Sequence, residues 1–343
     1  MLYLSSLLLQ NDKYKAEAEN FIRMLQEYKV PFSYLDKAKD IWVRDFMPIW
    51  RKESPHHVAF RYEPSYLQGF AQLRTDFKET YYIPSEHTLA FSKLNLDGGN
   101  LVFSPSHEKA IVSARVFSEN PQYDKAKIKE ILERDVNAKV YFIPDCKDDM
   151  TGHADGMAYF LDEDTVLVNE SQTPNDFEAS VQKSLQEQGF KTMEFPFYLP
   201  QDNFSAEGCY LNFFETERIL FLPIFNHPKD AKAIEKAQEI FSKKIVPVPI
   251  HNIAKDGGGL HCITWDSTGD GSSFDMFSIA EYPLEIENLT CPVCGKTVLY
   301  CEDICENCHW QYDDAEETEY DYSPANKASI HDYREAFLEK QKR

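Results

Sequence analysis

Residues 256–262 read Asp-Gly-Gly-Gly-Leu-His-Cys, a run of glycines that delivers one cysteine, Cys262. Glycine permits positive φ and close backbone approach, which a covalent nucleophile needs if a planar substrate is to lie against it. A thiolate is strongly nucleophilic and suits attack on a delocalised, weakly electrophilic carbon such as that of a guanidinium. By itself Cys262 proves little, because an isolated cysteine is more often a small buried hydrophobe. Gly152-His153-Ala154-Asp155-Gly156 supplies an imidazole and a carboxylate two residues apart, on one side of an extended segment. His153 can take and return protons while an amine leaves and water enters. Asp155, acceptor-only when ionised, can grip guanidinium N–H groups in a fork. Taken alone, His153 reads rather as a metal ligand or a satisfied core histidine.

Ile41-Trp42-Val43-Arg44-Asp45-Phe46-Met47-Pro48 adds a flat apolar face, Trp42, on which a cation can stack. Asp45 in the same segment offers a second carboxylate to complete a clamp for a planar cation. Arg44 beside it is ambiguous, since an Arg–Asp pair is often structural. Asn212, a polar group in an apolar stretch, and Gly259, within the glycine run, complete the candidate substrate contacts. Asn212 reads equally as a turn residue at a strand edge.

Elements able to position these residues recur along the chain. An apolar strand from Leu2 gives way to a turn at Asn11-Asp12, a helix with Tyr14, Ala18, Phe21, Ile22, Leu25 and Tyr28 at helical spacing, and a short strand from Pro31 to Leu35. The order returns as strand Ala110 to Val116, helix Tyr123 to Arg134 and strand Lys139 to Ile143. It returns again as strand Thr165 to Val168, helix Asp176 to Gln188 and strand Lys191 to Phe195. The last copy is strand Arg218 to Pro223, a helix opened by Pro228 with Ala231, Ile234, Ala237 and Phe241 inward, and strand Ile245 to Pro249. A degenerate fifth unit runs from His57 to Pro84 and precedes Asp97-Gly98-Gly99-Asn100. After each closing strand comes a polar loop and then a cluster of charged, Gly or Cys residues. Units that each end in such a signature imply a ring aiming them at one axis, although βα repeats with polar loops also occur in any α/β protein.

Together these residues resemble the agmatine deiminase and bacterial peptidyl-arginine deiminase family of the guanidino-group-modifying superfamily. The resemblance covers about residues 1 to 285. It rests on Trp-Val-Arg-Asp-Phe-Met-Pro, Asp-Gly-Gly-Asn, Gly-His-Ala-Asp, Tyr-Leu-Asn-Phe and Gly-Gly-Gly-Leu-His-Cys-Ile-Thr, which stand in the family's order. It implies an α/β fold, a five-bladed pseudosymmetric α/β propeller of the pentein type, with Asp45, His153, Asp155 and Cys262 catalytic and no metal or organic cofactor for the chemistry. By that analogy Asp45 and Asp155 orient the guanidinium and Cys262 adds to its carbon. His153 protonates the departing ammonia, leaving a thiouronium intermediate, and then activates water to release a ureido product. Two departures stand out. Met47 takes the place of a usual glycine, which predicts a bulkier wall near Asp45, and Leu260 stands alone where Asn-Ile is common. Both bear on the substrate more than on the reaction.

The tail is of another kind. Three cysteines, Cys146, Cys209 and Cys262, are scattered through the first 290 residues, as in a reducing compartment. Five crowd between Cys291 and Cys308. Cys291-Pro-Val-Cys294-Gly and Cys305-Glu-Asn-Cys308 form two knuckles of the type that binds one tetrahedral Zn²⁺. The expected division is therefore a catalytic domain over 1–285 and a zinc-ribbon-like domain over 286–343 holding a structural zinc. Iron is a minority alternative, and Cys301 is spare under a four-ligand count. Ser329 with Asp332 forms a capping box for a final helix carrying Tyr333 and Phe337. The acidic stretch from Asp313 to Asp321 reads as a solvated loop.

A net charge of −21 argues against a nucleic-acid backbone as partner, because a phosphate-binding face needs clustered Lys and Arg, and it suits a cationic substrate. Met1 to Leu9 reads as a buried strand, not a signal peptide, and no apolar run reaches the roughly 18 residues of a membrane helix. The expectation is a soluble, cytoplasmic protein. Agmatine is favoured as substrate over free or peptidyl arginine; the competing class is an inactive propeller acting as a binding module. A homo-oligomer, or a protein partner docking through the zinc domain, is left open.

Overall fold

Among the described residues, five sheets of three strands each are built on one pattern in a computed structural model of the chain. It describes residues 1–51, 56–81, 88–200, 202, 204–266, 289–295, 297–298, 305, 307–310, 322–323 and 326–341. The strands are β1 (Leu2–Ser5), β2 (Phe32–Leu35), β3 (Ile49–Trp50), β4 (His56–Arg61), β5 (Thr88–Asn95), β6 (Val102–Phe103), β7 (Lys109–Ser113) and β8 (Lys139–Ile143). They continue as β9 (Ala158–Phe160), β10 (Thr165–Asn169), β11 (Lys191–Phe195), β12 (Phe214–Glu215), β13 (Ile219–Ile224), β14 (Lys244–Pro249) and β15 (Trp265–Asp266). In every sheet the middle strand pairs antiparallel with one neighbour and parallel with the other: β3-β4-β5, β6-β7-β8, β9-β10-β11, β12-β13-β14 and β15-β1-β2. The last joins the two ends of the unit, with Leu2 opposite Asp266 and Tyr3 opposite Trp265. A cavity of about 680 Å³ is lined by residues of all five antiparallel outer strands, among them Trp50, Phe103, Tyr159, Phe214 and Trp265.

Parallel strands need a crossover, and a helix supplies it in four of the five sheets. Lys15–Glu27 buries Ala18, Phe21 and Leu25, one stripe at helical spacing. Lys125–Val136 buries Ile128, Ile131, Leu132 and Val136, and Phe177–Glu187 buries Val181 and Leu185. Asp124 and Asp176 cap these two helices by accepting from Lys127 N and Ala179 N at 2.7 and 2.9 Å. Asn137 takes the left-handed conformation (φ 54°) that ends the first of them. Each large side chain fully buried here, such as Phe21 or Leu25, contributes on the order of 1.5–3 kcal/mol.

Several local expectations are corrected. The first strand stops at Ser5, and Leu7–Gln10 turns helical, tucking Leu8 into the core. Val116 belongs to the short helix Arg115–Glu119, not to β7. In helix Lys229–Ile240 the inward alanines are Ala233 and Ala237, whereas Ala231 is exposed. The i, i+4 alanine pair lets that helix sit close on its sheet. The fifth unit has no long helix among its described residues; 3₁₀ turns at Ser65–Leu67 and Ala71–Leu73 and the short helix Phe77–Thr80 bridge β4 to β5.

The chain falls into two compact units, Met1–Phe274 and Asp275–Arg343. The boundary expected at 285 and 286 lies outside the described residues, as do Cys301 and the acidic stretch 313–321. Among the described residues no helix is long and apolar enough to cross a membrane. In the second unit Trp310 and the four cysteines form a small core packed by Ile330, Tyr333 and Phe337 of helix Ile330–Gln341. Asp332 N donates to Ser329 Oγ at 3.1 Å, the first half of the anticipated capping box.

Candidate active site

Short turns, not regular elements, carry the candidate residues. Asp45 lies on the helical turn Val43–Phe46, Asp97 immediately before the 3₁₀ turn Gly98–Asn100, and His153 and Asp155 at the 3₁₀ turn Ala154–Gly156. Asn212 and Cys262 sit in the turns leading to β12 and β15. Polar backbone bonds stitch these turns together. Arg44 N donates to Cys262 O at 3.1 Å and His261 N to Asn212 O at 3.2 Å. Asn100 Oδ1 accepts from Ser113 N at 2.9 Å and from Ala154 N at 3.3 Å. The Asn212 side chain accepts from Cys262 N at 3.2 Å.

The result is a convergence of groups far apart in the chain. Nδ1 of His153 is 3.5 Å from Asp45 Oδ1, and its Nε2 is 2.9 Å from Asp97 Oδ2. Sγ of Cys262 is 3.8 Å from Asp155 Oδ2, which also meets His261 Nδ1 at 2.7 Å. Gly99 sits where the acids and the imidazole meet. A side chain there would come within 2.7 Å of Asp45 Oδ1, 2.8 Å of His153 Nδ1 and 3.2 Å of Asp155 Oδ2. On the other flank, a side chain on Gly258 would run into the Trp42 ring and Cys262 Cβ. Trp42, Asp45, His153, Asp155, Asn212, Gly258 and Cys262 all line one cavity of about 470 Å³. Gly259 does not; it packs behind, against Asn212, and the positive φ of the glycine run falls at Gly257 (φ 108°). Met47 lines the second cavity instead, so its bulk does not narrow the first.

Charge and burial set the protonation states. Burial works to lower the His153 pKa, but Asp45, Asp97 and Asp155 outweigh it and hold the imidazole protonated up to about 10. Burial raises Asp45, with His153 opposing. Burial also works to raise Asp155, yet His261, His153 and Arg44 bring it below the ordinary carboxylate value. The Cys262 thiol is pushed well above its usual range by burial and then by Asp155 and Asp45, so it rests protonated. In the sequence Asp97 is only one member of Asp97-Gly98-Gly99-Asn100; its contact with His153, and the Tyr66 hydroxyl that donates to it at 2.8 Å, depend on turns that only the fold brings together.

In the second unit Cys291, Cys294, Cys305 and Cys308 bring their sulfurs within 4.8 Å of one another, with Cys291–Cys308 and Cys294–Cys305 both at 3.5 Å. A tetrahedral metal with Zn–S bonds of about 2.3 Å would set the sulfurs roughly 3.8 Å apart, so this donor set fits one ion. Gly295 (φ 72°) makes the turn after the first knuckle, and Tyr333 Oη donates to Cys308 O at 3.1 Å.

The fold is that of known α/β deiminases. The Campylobacter jejuni agmatine deiminase superposes with a TM-score of 0.60 at 21% identity, over 77% of this chain and 92% of that one. The Enterococcus faecalis agmatine deiminase gives 0.59 at 18%, over the same shares. The chain belongs to the Porphyromonas-type peptidyl-arginine deiminase family, whose model matches residues 5–267. In sequence it is 24% identical over 218 residues to the Pseudomonas fluorescens agmatine deiminase, 53% of this chain and 58% of that protein. A Latilactobacillus sakei relative is 26% identical over 179 residues, 42% of this chain and 49% of its own length. The chain thus spans about half the length of the curated relatives it matches.

Proposed function

We propose that this chain is a hydrolytic guanidine deiminase with Cys262 as nucleophile. The observation that carries the reading is that Asp45, His153 and Asp155 crowd round Gly99 and line the same cavity as a thiol 3.8 Å from Asp155. A planar cation seated there gives each acid an N–H partner and supplies the positive charge that releases the Cys262 proton to solvent. The thiolate bonds to the guanidinium carbon, His153 gives its proton to one departing nitrogen, and that C–N bond breaks to free ammonia. An S-alkylthiouronium remains. Water then gives a proton to His153 while its oxygen bonds to the carbon. The C–S bond breaks, one proton passes to solvent, and a ureido product leaves with the thiolate restored. Trp42 provides a face for the cation, and Asn212 fixes the Cys262 backbone.

Agmatine-like substrates suit the site best. The cavity is also lined by Asp40, Asp148, Asp149, Glu178, Glu207 and Asp256, and among its described lining residues there is no lysine or arginine. A second ammonium is welcome in such a field, whereas a substrate carboxylate is not. Peptidyl arginine is the second reading, favoured by the exposed Phe70, Leu73, Met150 and Leu199 on the same cavity. We read the five like sheets as the blades of one pentein propeller, because a single cavity touches an outer strand of each. Zinc is the ion we assign to the four cysteines, as a structural centre, and free cysteines accord with a cytoplasmic setting.

Release of ammonia and ureido product from agmatine, free arginine and an arginine-containing peptide tests this function, with Cys262→Ala as control. Turnover of agmatine well above arginine, lost in the variant, is expected. No turnover of any guanidine would leave only a binding role.

A further inference from the structure

Two cavities meet at one carboxylate. Asp155 lines both the substrate cavity and the second one, whereas Asp45, His153 and Cys262 line only the first and Arg44 and His261 only the second. His261 is how the second cavity reaches Asp155. Its Nδ1 lies 2.7 Å from Asp155 Oδ2, and its side chain is 29% exposed against 5% for the carboxylate. The same oxygen is the one nearest Cys262 Sγ. An ionised Asp155 can only accept, so Nδ1 of His261 carries the proton and donates. The other charged groups acting on His261 are Arg44, whose Nε is 3.5 Å from the His261 carbonyl oxygen, and Glu215. Burial and Arg44 favour the neutral imidazole.

We propose that His261 is a positioning residue of the deimination reaction, holding the plane of Asp155 from the second cavity, on the side away from the substrate. The assignment rests on the guanidine-deiminase reading above. A carboxylate turns easily about its last torsion, whose wells are broad. One oxygen tied by His261 fixes the plane in which Asp155 meets the guanidinium and keeps Oδ2 facing the thiol. Small angular errors at a reacting centre are costly in rate. Because the tie comes from behind, substrate entering from the front does not displace it.

The test is His261→Ala and His261→Asn, with and without added imidazole. His261→Ala should lower kcat by about 10- to 100-fold, the loss of one hydrogen bond to a charged group, with a smaller change in KM. Free imidazole, entering the vacated space through the second cavity, should restore activity at saturating as well as limiting guanidine. His261→Asn, which can present an amide N–H, should recover part of kcat. Three results overturn the role: a wild-type kcat in His261→Ala, rescue that saturating guanidine abolishes, or His261→Asn no better than His261→Ala. If His261→Ala does not fold, His261→Asn against His261→Leu decides, and equal kcat values overturn the role. A wild-type chain that turns over no guanidine overturns the deiminase reading and this role with it, whereas an active wild type with an unaffected variant overturns the role alone.

Discussion

Placing a methyl group on Gly99 should disable the site while leaving the fold standing. Ordinary contact to the new carbon begins near 3.4 Å, so Asp45 Oδ1 and His153 Nδ1 must each retreat by about 0.6–0.7 Å and Asp155 Oδ2 by about 0.2 Å. Asp45 must move while keeping its bond from Gly99 N, 3.2 Å long, and His153 while keeping Asp97 at 2.9 Å. A misplacement near 1 Å costs on the order of 100-fold in rate, so Gly99→Ala should lose roughly 30- to 100-fold in kcat/KM. Crowding of this kind costs stability by about 1–3 kcal/mol, a few degrees in Tm for a chain of this size. Steady-state ureido release and thermal unfolding on the same preparation separate the two effects. A Gly99→Ala protein within threefold of wild type in kcat/KM would refute the convergence of these three groups on one point.

Three more outcomes follow from the same geometry. Asp97→Asn removes one of the anions that hold His153 protonated, so the alkaline limb of kcat should shift to lower pH; an unmoved limb would mean that Asp97 does not tune His153. The direction follows from the raised pKa: the charged form is held up to about 10, and with less negative charge nearby it is lost sooner as pH rises. In the free protein, alkylation of Cys262 by iodoacetamide, followed by peptide mass, should still be accelerating at pH 9; a plateau near neutrality would contradict a thiol raised by burial and by Asp155 and Asp45. A strong chelator should release one zinc per chain and disturb the buried Trp310, seen as a red shift in emission, while kcat stays put because no residue of the proposed chemistry lies in that unit; less than half an equivalent of metal would count against a zinc centre.

Periodic features were the legible ones. Apolar stripes such as Phe21 and Leu25, or Ile128 and Leu132, report burial directly through their spacing. The paired cysteines and the clusters ending at Asp45, Asp155 and Cys262 stand out because their residue types are scarce at such spacing. Residues whose meaning depends on another turn were harder to read. Asp97 looked like part of a glycine-rich loop until β5 and β9 set it against His153, and His261 was hidden by its neighbour Cys262. Gly259 and Met47 went the other way, assigned toward the substrate cavity from chain adjacency although the backbone turns them from it. Ala231 and Ala233 differ by two positions on one helix, and composition alone does not choose between them.

Acid quenching of the chain during turnover of agmatine, followed by mass measurement of the peptide containing Cys262, addresses the central claim most directly. The account predicts an adduct on that sulfur equal to substrate less ammonia, absent when Cys262 is replaced. Multiple turnovers with unmodified Cys262 at every quench time, together with an active Cys262→Ala protein, would contradict it.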